Sequence, residues 1–325
     1  MELPCVRAAR ENGETVRAAL AERELVDRGH EITVVDGWIF IPVTDSEAVP
    51  DQYTIVTHDA PARETQVMPA DILGFEPTYE RLGDVVLVDE DDPECAERIA
   101  AAVMDSALPV KTVLNRASKV TGEFRTREWD HLAGDSTETV HREYGCEFAL
   151  DVAAVYFSPR LATERHRVTE TIAAGERVVD MFAGVGPFAI PAAKRGAEVV
   201  AVDLNPAAVD YLRENARRND VPERITAIES DVRTVAEEYE NWADRLVMNL
   251  PHSADEFLEA AVCLAGEDCL IHYYDIQHES DPYGPGERAV RAAAENYEVT
   301  VEARQSVRSY APHELNVRLD VRLRA

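Results

Sequence analysis

Between Arg177 and Pro206 the chain reads RVVDMFAGVGPFAIPAAKRGAEVVAVDLNP: strand, glycine turn, helix, strand and acidic tip in unbroken succession. Val178 and Val179 run into Asp180, Gly184 and Gly186 let the backbone approach a ligand closely, and Phe188 to Lys194 has helical spacing. A second apolar run, Val199 to Val202, ends in Asp203. That acid stands about 20 residues beyond the turn, where a doubly wound sheet carries the carboxylate that grips a ribose diol. The stretch therefore predicts an α/β fold with a nucleotide-cofactor half-site at its centre.

The glycine spacing alone serves dinucleotides equally well. Two features favour S-adenosylmethionine. Asp180 precedes the glycines, where a carboxylate meets the ammonium of a methionine moiety and would repel a pyrophosphate. Then Ser230-Asp231 follows the apolar Ile225 to Ile228, and Asn249-Leu250-Pro251 follows Arg245 to Met248, so two more strand ends carry polar groups on the same edge. The plainer alternative is that Asp180, Asp203 and Asp231 only cap strands or the helices after them.

The 325 residues are enough for two or three domains, and the formal charge of -29 is extreme. Lys111, Lys119 and Lys194 are the only lysines, so the positive charge is almost all arginine, while the acids are spread along the whole chain. A hydrophobic content of 46% and clear periodicity oppose disorder. Adaptation to a cytoplasm of very high salt, where an acidic surface stays soluble and its self-repulsion is screened, is the expectation. A nucleic-acid partner is not excluded, because local arginine clusters still pair with individual phosphates. Cys5, Cys95, Cys146, Cys263 and Cys269 are scattered without metal-ligand spacing, so reduced, mostly buried thiols and no metal are expected. The amino terminus lacks a signal region and no apolar run spans a bilayer, which predicts a soluble cytoplasmic protein.

In chain order, residues 1–45 read as a small α+β domain: Glu14 to Glu24 has helical spacing, and Ile32 to Val35 and Trp38 to Ile41 flank Asp36-Gly37 as a hairpin. Residues 46–72 mix acids, prolines and polar groups and are expected to be a linker. Residues 73–155 read as a second α+β domain, with strands at Val85 to Val88 and Val110 to Leu114, a helix at Pro93 to Met104, and paired strands from Glu138 to Asp151 bent at Gly145. Within it, Arg116 to Arg127 is the densest basic segment of an acidic protein and is expected to face RNA; a solvated loop is the bland alternative. Residues 156–325 are expected to form the third domain, built around the cofactor half-site. Ser158 is expected to cap a helix begun by Pro159, with Arg160 and Glu164 one turn apart on one face, a spacing that equally suits a surface ion pair. A strand at Cys269 to Tyr274, a helix ending near Ala294 and a hairpin of Val299 to Val307 with Asn316 to Leu323 complete the sheet.

GEFR, YFSPRLATER, DMFAGVGPF, DLNP, SDVR, MNLPHSADEFL and IHYY, taken together, make nearly the whole chain resemble the archaeal-type tRNA (guanine-37-N1) methyltransferases. The resemblance implies a class I Rossmann-like methyltransferase domain with a mixed seven-stranded sheet, preceded by two smaller α+β domains. It implies methyl transfer from S-adenosylmethionine to N1 of the guanine 3′ of the anticodon. N1 of guanine bears a proton, so attack on a methyl group needs a base for that proton and a donor for the charge moving onto O6. By the same matching Glu164 is the base, Arg125 the O6 donor with Arg127 its near rival, and Asn249 and Pro251 stand beside both cofactor and flipped-out base. Tyr156, Asp180, Phe182, Gly184, Gly186, Asp203, Leu204, Asp231 and Val232 are implied to line the cofactor, and Arg160 and Arg165 to contact RNA or organise the site. The implied partner is tRNA, held at its anticodon loop and, through the amino-terminal domain, at its outer corner, by a monomer.

Aminocarboxypropyl transfer from the same cofactor, as in wyosine biosynthesis, is the nearest alternative, and the NLP element with the Arg/Glu pair favours methyl transfer over it. Cytosine C5 methylation lacks a cysteine beside the motif, and Leu250 departs from the NPPY pattern of amino-group methylation. A non-catalytic cofactor-binding RNA protein and, least favoured, a nicotinamide-dependent reductase complete the alternatives.

Overall fold

The computed structural model describes residues 2–63, 66–118, 122 and 124–325. The chain divides into two compact units, residues 1–68 and 69–325. The first contains β1 (Glu2–Ala9), α1 (Gly13–Ala21), β2 (Thr33–Val35), β3 (Trp38–Pro42) and β4 (Thr54–Asp59) in a sheet of order β2-β3-β1-β4. Asp36 and Gly37 both take positive φ, 51° and 81°, as the two-residue turn between β2 and β3 requires. Val6, Ile41, Leu20 and Leu25 form the core beneath α1.

The linker expected at 46–72 is corrected here. β4 pairs antiparallel with β1 from Glu2↔Asp59 to Arg7↔Thr54, and Val49 is buried in the core of this unit. β4 escaped notice because it is an edge strand with no fully buried position, so no alternation marks it.

In the second unit, α2 (Pro69–Leu73) precedes β5 (Tyr79–Leu82), β6 (Val85–Val88), α3 (Pro93–Asp105), β7 (Thr112–Arg116) and β8 (Trp129–Ala133), whose strands form a sheet of order β5-β6-β7-β8. Asp92 caps α3 by accepting from the Glu94 N–H at 3.1 Å, with Pro93 at the first helical position. The hairpin β9 (Glu138–Glu143) and β10 (Cys146–Asp151) turns at Tyr144 and Gly145, both with positive φ.

The catalytic body follows: α4 (Ala162–Glu170), β11 (Arg177–Asp180), α5 (Ala189–Lys194), β12 (Glu198–Asp203), α6 (Pro206–Arg218), β13 (Ile225–Glu229), α7 (Val232–Val235), β14 (Ala243–Met248), α8 (Leu258–Leu264), β15 (Ala265–His278), α9 (Gly284–Ala293), β16 (Glu298–Ala311) and β17 (Glu314–Arg324). Its seven strands run β13-β12-β11-β14-β15-β17-β16. The first five are parallel, and β17 lies antiparallel between β15 and β16.

The hairpin β9–β10 packs on the preceding sheet and on the catalytic body alike: Phe148 and Leu150 share a core with Leu82 and Leu114 on one side and with Val178, Val185 and Leu212 on the other. From α6, the Asn215 amide accepts from the Ala149 N–H at 2.7 Å and donates to its carbonyl at 3.1 Å, and Asn219 does the same for Glu147. Two asparagines thus satisfy backbone groups of β10 that a sheet neighbour would otherwise pair.

Candidate active site

The strand order reverses beside β11, and the crevice at the carboxyl ends of the strands there is where ligands bind in such sheets. Asp180 ends β11, Asp203 ends β12, Asp231 follows β13 and Asn249 follows β14, so the four polar positions read from the sequence lie on one edge. Asp180 is fully buried, and neither carboxylate oxygen reaches a hydrogen-bond partner. Burial, reinforced by the nearby Asp203 charge, pushes its pKa up to about 7; the backbone N–H groups of Phe182 and Ala189 pull the other way without reaching hydrogen-bond geometry. A buried carboxylate without a partner is what a cationic group, such as the ammonium of S-adenosylmethionine, would satisfy.

Asp203 ties the second strand tip to the glycine turn. It accepts from the Gly184 N–H at 2.6 Å and from the Asn205 N–H at 2.9 Å, and burial raises its pKa. Gly184 has φ of 52°, and a Cβ there would meet only the Tyr156 carbonyl oxygen, at an uncrowded 3.9 Å. Gly186, with φ of 94°, is crowded: a Cβ there would lie 2.6 Å from Leu212 and 2.9 Å from Ile190. One glycine leaves room for a ligand and the other lets α6 close in. Phe182 stands edge-on to Phe257 at 4.9 Å, Leu204 is exposed beside Asp203, and Val232 is buried under α7. Asp231 caps α7 through the Arg233 N–H at 2.9 Å and pairs with the Arg233 guanidinium, which holds its carboxyl below the usual range. The capping alternative weighed from sequence therefore describes Asp231, whereas Asp180 caps nothing. Asn249 is half-buried and its amide has no partner among the described residues. The Pro251 carbonyl accepts from the Ile276 N–H at 3.1 Å, fixing this loop to β15.

Glu164 lies on α4 and is 8% exposed. Its carboxylate accepts from the Tyr274 hydroxyl at 3.0 Å and pairs with Arg318 at 2.8 Å and Arg167 at 2.9 Å. Behind it runs a buried polar chain: Arg318 to Asp320 at 2.6 Å, Asp320 to His272 Nδ1 at 2.6 Å, His272 Nε2 to Arg245 at 2.6 Å, and Arg245 to Glu176 at 2.6 Å. Burial and the flanking arginines lower the His272 pKa against the pull of Asp320, so the imidazole is neutral; its partners then assign the proton to Nδ1. Tyr274 packs 6.1 Å from the Phe188 ring, which follows directly on the glycine turn, so Glu164 and the cofactor crevice share one wall.

Arg160 and Glu164 do not pair. Residues 159–161 form a 3₁₀ turn, which shifts the phase of the helix, and Ser158 stands at the cap position without a capping bond. Arg160 instead pairs with Glu80 of β5. Arg165 is 3% exposed, bound to both oxygens of Glu143 at 2.8 Å and to the Ser158 carbonyl at 3.1 Å, with Phe157 beneath its guanidinium. It braces the segment leading into α4.

An open cleft of about 650 Å³ lies between the β5–β8 sheet and the catalytic body. Arg125, with φ of 54°, stacks over Tyr156 at 5.1 Å, and Arg127 over Trp129 at 5.3 Å. His252, just past Pro251, is lowered in pKa first by burial and then by the Arg125 charge, which brings the Asn249 loop and Arg125 together. Of the basic segment expected to face RNA, Lys119, Val120, Thr121 and Glu123 lie outside the described residues. Sequence reasoning missed Tyr274, Arg308, Tyr310 and Arg318, all from the last strands; Tyr310 stands edge-on to His252 at 5.1 Å, and Arg308 lines the cleft.

This strand order, with an unpartnered acid ahead of the glycine turn and a second acid at the next tip, defines a class I S-adenosylmethionine-dependent methyltransferase. The TRM5/TYW2 methyltransferase domain model matches residues 139–302, the tRNA methyltransferase 5 N-terminal domain residues 5–50, and the TYW2 N-terminal domain residues 65–137. With a family model over half its length and a 40% identical relative over nearly all of it, the chain belongs to the archaeal Trm5 family. That relative, the tRNA (guanine(37)-N(1))-methyltransferase Trm5b of Pyrococcus abyssi, is matched over 98% of both chains, and its crystal structure over 99% and 100% with a TM-score of 0.73. A complex of aTrm5 and tRNALeu matches over 98% and 99% at 31% identity, with a TM-score of 0.72. A tRNA(Phe) (4-demethylwyosine(37)-C(7)) aminocarboxypropyltransferase of Pyrococcus horikoshii is 34% identical over 79% of this chain and 93% of its own. Among the described residues no helix is long and apolar enough to cross a membrane.

Proposed function

We propose that this protein methylates N1 of guanosine 37 in tRNA with Glu164 as the general base. The observation that carries the reading is the Asp180 carboxylate, buried and without a partner ahead of the glycine turn, on the same wall as Glu164. When bound, S-adenosylmethionine supplies an electrophilic methyl group. Asp180 takes its ammonium and Asp203 its ribose hydroxyls, while Tyr156, Phe182, Leu204, Asp231, Val232 and Pro251 enclose the remainder around Gly184 and Gly186. Asn249 offers its free amide to the guanine edge. Glu164 receives the N1 proton as N1 gains its new bond, and Arg125 donates to O6, where charge accumulates. Arg318 and Tyr274 hold the Glu164 carboxylate aimed. Arg167, 42% exposed, is the partner able to swing away and open the second oxygen to the base. Arg160 and the braced Arg165 hold the RNA-facing entrance.

The anticodon loop enters the cleft beside Arg125, the first unit engages the outer corner of the tRNA, and a monomer suffices. We place the enzyme in the cytoplasm with its substrate, in keeping with five free thiols. Aminocarboxypropyl transfer is the second reading. Against it stand the match to the tRNA methyltransferase 5 N-terminal domain at residues 5–50 and the greater identity, 40% against 34%, to the guanosine-37 methyltransferase. Primer extension and mass spectrometry on transcripts with guanosine or adenosine at position 37, in molar KCl, test the proposal. A stop and a single methyl mass only on guanosine are expected; an aminocarboxypropyl mass, or no addition, would overturn it.

A further inference from the structure

Five guanidinium groups converge on the cleft, in a chain with 62 acidic and 33 basic residues. Arg116 pairs with Asp89, and Arg160 with Glu80. Arg125, Arg127 and Arg308 make no ion pair among the described residues, although Asp89 lies near enough to act on Arg127 and acids outnumber bases nearly two to one. Arg308 reaches in from β16 with its Nε buried and without a hydrogen-bond partner. Like charges gathered around an unsatisfied buried donor are unfavourable unless an anion completes them. The Arg127 pKa is lowered first by burial and then by Arg116, against a smaller opposing pull from Asp89 and Tyr156. Trp129, Tyr156 and Phe157 interleave with these arginines. Guanidinium groups backed by aromatic faces suit a nucleotide, phosphate and base together, better than a bare carboxylate.

We propose that Arg127 and Arg308 form a clamp for one backbone phosphate of the RNA beside the target nucleotide, which leaves Arg125 to the base. The clamp rests on the reading of the substrate as RNA. It also answers how an acidic protein holds a polyanion in concentrated salt: a partly buried, charge-assisted contact is screened far less than an exposed one.

The test is equilibrium binding of tRNA to the full-length protein over a range of KCl, using ligated transcripts in which single anticodon-loop phosphates are replaced by neutral methylphosphonates. One position should weaken wild-type binding by roughly tenfold and leave Arg308→Gln unaffected, and the slope of log affinity against log KCl should be shallower by about 0.7 in that variant. Arg308→Lys should keep the wild-type slope, and unchanged S-adenosylmethionine affinity in both variants reports an intact fold. A wild-type slope in Arg308→Gln, or methylphosphonate effects equal in both proteins, would overturn the clamp. Tight tRNA binding without guanosine methylation would overturn the proposed reaction and leave the clamp standing.

Discussion

The unpartnered Asp180 carboxylate makes cofactor affinity a function of pH. With its pKa near 7 in the free protein, Asp180 is largely protonated at pH 6, and binding an ammonium then requires that proton to leave. The resulting factor makes the dissociation constant of S-adenosylmethionine roughly tenfold larger at pH 6 than at pH 7.5. Above about pH 8 the ligand's own α-amino group loses its charge, so affinity falls again. Asp180 acts on stability in the opposite sense. Its folded pKa lies about three units above that of an unfolded carboxylate, so the group favours the folded state fully below about pH 4 and loses that contribution as pH rises through 7. The full swing is about 4 kcal/mol, so Asp180→Asn should raise the melting temperature of the ligand-free protein at pH 8 while abolishing tight cofactor binding. Titration calorimetry between pH 5.5 and 8.5, with thermal melts of both proteins, gives both readouts. A flat affinity profile below pH 7.5, or an Asp180→Asn protein that binds S-adenosylmethionine normally, would refute the pairing; Asp203 would account only for a residual slope in the variant.

Glu164→Gln should lower kcat by two or more orders of magnitude with cofactor affinity nearly unchanged, measured by single-turnover methylation and calorimetry. Arg318→Met leaves Glu164 and Asp320 without their shared cation and should destabilise the fold by about 3–5 kcal/mol in denaturant titrations. With a formal charge of -29, the protein should melt at higher temperature in molar KCl than in dilute buffer, and equal melting temperatures would count against adaptation to salt.

The nucleotide half-site was legible because every signal in it is local: apolar runs, positive-φ glycines and strand-tip acids within one stretch of chain. The Asp36-Gly37 turn and the Tyr144-Gly145 bend were legible for the same reason. Local signals failed where tertiary partners decide. β4 lacks alternation because it is an edge strand, and no local signal shows that asparagines of α6 complete the backbone bonding of the hairpin β9–β10. Arg318 reaches Glu164 across 154 positions of sequence, a pairing no spacing announces. Arg160 and Glu164 sit at helical spacing, yet a 3₁₀ turn sends them to different partners.

β17 lies between β15 and β16, two strands that precede it in the chain. Without residues 314–324, β16 has no strand to pair with among the described residues, and Glu164 keeps Arg167 but loses Arg318. Loss of β17 would part β16 from the sheet and take Arg318 from beside Glu164 at once.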